Sequence, residues 1–390
     1  MKKKRIIAPA RLILLIISVI IIGLFHCFRN NHEVMCYIAD RFLRPLRMLM
    51  SFVSSKLPFS LAEMLIGVFS VCMLVFIVSK LSKLIHLRKG RGKQLYLLIL
   101  TPLAWGMAIY AGFCMLWGVY YYGDDFMTKA HLETKPISTE QLETVTEYFA
   151  QLAGRYSSRV DRDYEKHCTI DRNAVLEKSN EVYAKTVKRW PCLTAPNVKA
   201  KGIRFSKVMS MIDFTGFFFP FTGEANVNMD SPSSYFPATV AHELAHLRGV
   251  AKEDEANFVA VIASMEYGDD DYIYSAALMA YTYLGNALRT ADYNAWSLIY
   301  ADLDSNVKRD LNENSAYWEA FKTPVETISN NVYEGFLQSY DQELGLKSYG
   351  ACVDLLVDYY YDLVKPEEVS DNEEIPTDAE VGETAIEPAA

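Results

Sequence analysis

Three long apolar stretches in the first third of this 390-residue chain decide most of what it can become: Leu12–Phe28, Leu61–Val78 and Leu95–Tyr122. A helix needs ~20 apolar residues to cross ~30 Å of hydrocarbon, and an unpaired strand or loop cannot cross it at all. The first stretch just reaches that length and the third exceeds it. No small-x-small cleavage site follows the first. Bulky His26 before Cys27 suits neither signal removal nor lipid attachment. Residues 1–122 therefore read as a membrane region with three retained spans, at about 12–28, 61–78 and 95–122.

Basic residues orient the spans. Eleven surround the first and the second-to-third connection: Lys2, Lys3, Lys4, Arg5, Arg11, Lys80, Lys83, Arg88, Lys89, Arg91 and Lys93. The connection between the first two spans carries five, Arg29, Arg41, Arg44, Arg47 and Lys56. Positive loops stay in the cytoplasm, so the N-terminus and residues 80–93 are expected there and everything after Tyr122 outside. In segment 34–59, Met35, Ile38, Phe42, Leu46, Leu49 and Met50 recur at helical spacing between arginines. That pattern predicts an amphipathic helix lying on the membrane surface. Glu63 and His86 fall at span ends, where ionisable groups reach the interface, and no chemistry is assigned to them.

Residues 123–365 are long enough for one sizeable core, and their pattern is α+β, mainly α. Helices are predicted over Ser138–Arg155, Arg172–Lys188, Tyr272–Thr290, Asp292–Leu303, Glu319–Tyr340 and Tyr349–Val364. From Ile203 to Met229 the residues turn β-branched, aromatic and Gly-punctuated. A small sheet is expected there, from Ile203–Phe205, Met211–Pro220 and Glu224–Asn228. Residues 366–390 are acidic, poor in large apolar side chains, and read as a disordered tail. The net charge is −9 although the membrane half is basic, so the remainder is strongly acidic and excludes nucleic acid as a partner. Seven cysteines show no C-x-x-C spacing. A Cys168–Cys192 disulfide is open to an outer domain, and free thiols are the simpler reading.

The chemistry lies in His242-Glu243-Leu244-Ala245-His246. On a helix, residues four apart lie about 40° apart, so both imidazoles can meet one Zn²⁺. Glu243, about 100° round, is placed to touch an attacking water rather than the metal. The hydroxyls of Ser231, Ser233 and Ser234 are expected to cap this helix, with Pro237 in its first turn and Gly249 as its stop. A buried helix with these three polar groups needs a partner, and a metal supplies one.

The next segment, Glu253-Asp254-Glu255-Ala256-Asn257, resembles the E-x-x-A-[D/N] segment of glutamate-type zincins (gluzincins). That resemblance implies Glu253 as third zinc ligand, with Asn257 one turn later orienting a histidine. Glu255 is the reserve ligand. Lys252 stands where zincins with H-E-x-x-H-x-x-G carry a third histidine. The whole chain resembles a bacterial family of three-span membrane proteins with a zincin-like extracytoplasmic domain. Phe219–Asn226, His242–His246 with Gly249, and Glu253–Asn257 carry the likeness. It implies a metallopeptidase domain with a small sheet beside the HExxH helix. By position, Ala225, Asn226, Val227 and Asn228 would be the strand edge that pairs with an extended peptide. One of Tyr272, Tyr274, Tyr281 or Tyr283 is a candidate hydrogen-bond donor to the oxyanion, while His131 and His167 read as surface histidines.

The expected function is a membrane-anchored, zinc-dependent peptidase with one Zn²⁺ per chain. It would cleave a peptide or protein substrate of the cell envelope at the outer face of the bacterial cytoplasmic membrane, with the lipid bilayer as its other partner. A cell-wall peptide hydrolase would share this chemistry. The alternative is a non-catalytic, metal-stabilised sensor or peptide-binding scaffold, which would have no need of Glu243.

Overall fold

The computed structural model describes residues 8–365 apart from Arg88, Thr134 and residues 341–348. Lys2, Lys3, Lys4, Arg5, Arg88 and the acidic segment 366–390 lie outside the described residues. The N-terminal region runs α1 (Pro9–Phe28), α2 (His32–Ile38), α3 (Arg44–Ser54), α4 (Leu61–His86) and α5 (Arg91–Leu116). Of these, α1, α4 and α5 are long and apolar enough to cross a membrane. The third span was expected to reach Tyr122, but its helix ends at Leu116. Trp117 leaves helical geometry and Gly118–Tyr121 form a 3-10 turn packed on α2, with Val119 and Tyr120 buried in a cluster that includes Phe25, Met35 and Leu43.

Amphipathic α3 docks with its polar side inward. Arg47, Ser51 and Ser54 are buried, whereas Leu46, Leu49, Phe52 and Val53 face outward. Arg47 donates to the Arg248 carbonyl at 3.0 Å and its guanidinium lies 4.8 Å over the Tyr120 ring. Ser51 donates to the Gly223 carbonyl at 2.7 Å. A helix gripped through its polar residues with its apolar row left outside suits a lipid surface.

The domain that follows begins with α6 (Phe126–Ala130), α7 (Thr139–Tyr156), α8 (Arg172–Lys178) and α9 (Thr186–Arg189). The sheet region comprises β1 (Lys201–Ile203), α10 (Ser206–Met211), β2 (Gly216–Phe219) and β3 (Glu224–Asn228). After it come α11 (Phe236–Leu247), α12 (Glu253–Tyr267), α13 (Asp270–Ala291) and α14 (Tyr293–Asp302). The described domain closes with α15 (Ser305–Ala320), α16 (Pro324–Ser339) and α17 (Tyr349–Val364). Ser138 and Gln141 form the reciprocal capping box that starts α7. The expected helix Arg172–Lys188 is broken by a 3-10 turn at Ser179–Glu181. The expected helix Glu319–Tyr340 is interrupted at Phe321–Thr323, because Pro324 forces Thr323 into extended geometry. Helices α7, α11, α12, α13 and α17 share one core in which Phe149, Phe236, Leu244, Phe258 and Tyr272 are fully buried.

The sheet order is β1-β3-β2, with β1 parallel and β2 antiparallel to β3. The second strand starts at Gly216, not Met211, because Ser206–Met211 is helical. The expected substrate edge is corrected as well. Ala225, Asn226, Val227 and Asn228 belong to the central strand and are buried; Asn226 and Val227 are registered with both neighbours, Ala225 with β2 and Asn228 with β1. The outer strand is β2.

What β3 does is hold the second span. The Glu224 carboxylate accepts the amides of Leu61 at 3.1 Å and Ala62 at 2.8 Å, where negative charge meets the positive end of α4. It also pairs with Lys201, and Thr222 Oγ1 donates to it at 2.7 Å. Glu63 reciprocates by accepting the amides of Arg204 at 2.9 Å and Phe205 at 2.8 Å. Ser60, the N-cap of α4, donates to Asn226 Oδ1 at 2.6 Å. The Phe219–Asn226 stretch is thus a joint between sheet and span. Cys168 and Cys192 are free thiols.

Candidate metal centre

Helix α11 carries Pro237 in its first turn, but no side chain caps it. The serines before it are engaged elsewhere: Ser231 donates to the Asn228 carbonyl at 2.9 Å and Ser233 to the Cys168 carbonyl. The helix stops at Leu247, and Gly249 at φ +95° reverses the chain. That conformation favours glycine, and a Cβ there would meet the Arg47 guanidinium at 2.5 Å. The reversal is tight enough for α12 to begin at Glu253 and pack back along α11.

It brings three donors together. His242 Nε2 and His246 Nε2 are 3.0 Å apart, and Glu253 Oε2 lies 3.2 Å from the first and 3.6 Å from the second. Tetrahedral donors ~2.1 Å from a zinc ion stand roughly 3.4 Å apart, so the set has the spacing a zinc ion requires. His246 Nδ1 donates to the Val250 carbonyl at 2.7 Å, which leaves its Nε2 lone pair aimed into the site. The orienting group expected at Asn257 is therefore a backbone carbonyl; Asn257 lines the adjoining cavity instead. His242 Nδ1 has no partner among the described residues.

Glu255 does not join the set. Its buried carboxylate accepts the amides of Phe126 at 3.0 Å and Met127 at 3.1 Å, capping α6, and burial followed by the charge of Asp125 pushes it up to about 8. Glu253 behaves in the opposite way. Burial would raise it, but the two histidines hold it well below the usual carboxylate range. Burial would lower His246, yet chiefly the charge and hydrogen bond of Glu253 bring it up to about 9. A pocket that draws protons onto its imidazoles draws a divalent cation by the same field.

Glu243 sits beside the donors without joining them. It is 3% exposed, its Oε2 has no partner among the described residues, and burial raises it to about 7. Gly216 of β2 lies against it so closely that a Cβ would come within 2.5 Å of its Oε1. Both groups open onto a cavity of about 570 Å³ whose walls include Thr215–Phe218, Trp117, Tyr121, Tyr283, Trp318 and Tyr333. The Trp117 ring stands 6.0 Å from that of His246. Tyr333 donates to Glu253 Oε1 at 2.7 Å.

Of the four tyrosines among which one oxyanion donor was expected, Tyr283 lines the cavity and the other three do not. Tyr272 donates to the Val175 carbonyl at 3.1 Å, Tyr274 donates to Asp310, and Tyr281 is buried in the core. His167 pairs with Glu313 and Glu165 away from the site. Tyr333, Trp117, Tyr121 and Gly216 had no sequence signal of their own, because each reaches the site from an element far along the chain. The described residues hold one other close set of metal-capable groups, His32, Cys36 and Asp124, and it lies outside this cavity.

The family described as Protein of unknown function (DUF3810) matches residues 39–357. The chain belongs to this family. The match takes in two of the three span helices, the sheet joint and the whole His242–Glu253 cluster. No curated protein and no solved structure matches the chain.

Proposed function

We propose that this family member is a membrane-anchored, zinc-dependent peptidase with a zincin-like catalytic domain. His242, His246 and Glu253 would hold the metal. The observation that carries this reading is their convergence at 3.0, 3.2 and 3.6 Å beside the buried Glu243 carboxylate, whose Oε2 has no hydrogen-bond partner among the described residues. A bound zinc ion supplies Lewis acidity to water and to the scissile carbonyl. Glu243 then accepts the proton of the attacking water and delivers it to the leaving amine, a role favoured by its elevation to about 7. β2 offers its outer edge for backbone pairing with an extended peptide. Tyr333 holds Glu253 in place through its hydroxyl. The surplus of basic residues around the first span and in residues 80–93 supports a cytoplasmic N-terminus and a catalytic domain outside the cell. A scaffold that only binds metal would leave the unpartnered Glu243 at the cavity unexplained.

The test uses the full chain in lipid nanodiscs, with zinc measured by elemental analysis and hydrolysis measured on a degenerate peptide pool. One zinc per chain is expected, lost in His246→Ala and Glu253→Gln and kept in Glu255→Gln. Glu243→Gln should keep the zinc and lose ~10²–10⁴-fold in hydrolysis. A folded wild-type chain without zinc, or a fully active Glu243→Gln variant, would overturn the reading.

A further inference from the structure

Large apolar side chains are exposed on the domain in two organised rows. At α10, Phe205, Val208 and Met211 are 70%, 55% and 50% exposed; on α16, Val325, Ile328 and Val332 are 55%, 63% and 68% exposed. Spacings of three and four residues place each trio along one helix face. The two helices are neighbours, since Ser329 donates to the Ile212 carbonyl at 3.0 Å and Asn330 to Asp213 at 3.0 Å. An apolar patch of this kind facing water would be a liability, so its position decides its meaning.

That position is level with the ends of the spans. Glu63, in the first turn of α4, holds the amides of Arg204 and Phe205 at the head of α10. Tyr340, immediately after α16, packs its ring 6.2 Å from Phe25 of α1 and 5.6 Å from Phe113 of α5. The α10 row therefore begins, and helix α16 ends, beside the ends of the apolar helices. The outward row of α3 adds a third apolar strip from the connection between the first two spans. The cavity joins the same region: Phe113 and Trp117, at the end of the third span, line it, and so do Phe214 and Asn330 from the α10–α16 edge.

We propose that the α10 and α16 rows rest in the lipid leaflet on the domain's side, and that the cleft takes its substrate from the bilayer. The substrate class is an extended peptide segment adjoining a membrane anchor, either an apolar helix or an acyl chain. This rests on the peptidase reading above. Confinement to the bilayer holds such a segment at high effective concentration beside the cleft, an advantage of ~10²–10⁴-fold with no extra contact. Pairing along β2 would then give sequence-tolerant grip on whatever chain the anchor presents.

Two measurements on the wild-type full chain test this. In nanodiscs containing a phosphatidylcholine with a photoactivatable acyl chain, adducts mapped by mass spectrometry are expected within Phe205–Met211 and Val325–Val332 as well as in the spans. Labelled spans with both rows clean would overturn the membrane contact. In vesicles, a degenerate peptide pool is offered free, on a synthetic apolar helix, or on a palmitoyl chain. Anchored peptides should be cleaved at least ~100-fold faster than free ones at equal bulk concentration, with cuts clustered next to the anchor. A preference for one anchor names the source. Equal rates for free and anchored peptides would overturn bilayer delivery, whereas cleavage of neither pool would overturn the peptidase reading and leave the photolabelling to decide the lipid contact.

Discussion

Gly216→Ala isolates the position of Glu243 from every other property of the site. A Cβ at residue 216 would lie 2.5 Å from Glu243 Oε1, 2.7 Å from its Cγ and 2.8 Å from its Cδ, whereas ordinary contact starts at 3.4 Å. The strand cannot yield easily, because Gly216 is registered against Val227 in the buried central strand. The carboxylate must move instead, by about 0.9 Å to restore 3.4 Å. A misplacement of ~1 Å in a reacting group costs roughly 10²-fold in rate, equivalent to about 2.7 kcal/mol of barrier. His242, His246 and Glu253 are untouched, so zinc content should stay at the wild-type level. The assay is kcat/KM on the cleaved peptides together with zinc stoichiometry and a thermal melt. A folded, zinc-loaded Gly216→Ala chain with activity within threefold of wild type would refute the placement of Glu243 as the proton carrier. Loss of zinc along with activity would refute the claim that Gly216 acts through Glu243 alone.

Tyr333→Phe removes the hydroxyl that holds Glu253 at 2.7 Å and should weaken zinc affinity ~10–100-fold in a chelator competition titration, with the fold intact. Asp310→Ala strands a guanidinium: Arg162 is bonded to both oxygens of the fully buried Asp310, at 3.0 and 2.7 Å, so its loss should destabilise the domain by ~3–5 kcal/mol in a denaturant melt. Glu224→Ala frees the Leu61 and Ala62 amides from a charged acceptor worth ~1.5–3 kcal/mol, and hydrogen exchange at those two amides should quicken by more than tenfold while the core of α13 is unchanged.

What the sequence discloses about this protein is what depends on neighbours along the chain. The spans follow from length and apolarity, and the histidine pair from a four-residue spacing on a helix buried nearly throughout. Choosing Glu253 over Glu255 needs one step more, because both lie in the first turn of α12 and only the angle between α11 and α12 separates them. The reversal between the two helices turns at Gly249, against which Arg47, about two hundred residues earlier in the chain, is packed while it bonds the Arg248 carbonyl. Strand order is harder still: Glu224–Asn228 reads as a strand, yet nothing in its alternation says that it is central, and its polar residues serve the second span. The direction of α3 is similarly hidden, since its arginines read as interfacial charge until Arg47 is seen to bond a carbonyl inside the protein.

The cavity wall was invisible for the same reason. Trp117 closes the third span, Gly216 belongs to the outer strand, and Tyr333 lies 80 residues beyond the carboxylate it holds. Catalytic chemistry needs a few atoms at fixed short range, which one helical turn and one reversal can supply. Selecting a substrate needs a surface, and the proposed one is assembled from the end of α5, the edge of β2 and the α10–α16 face. On the proposed peptidase reading, the reaction class is written locally, whereas the substrate class would follow from how the domain is set down on a membrane.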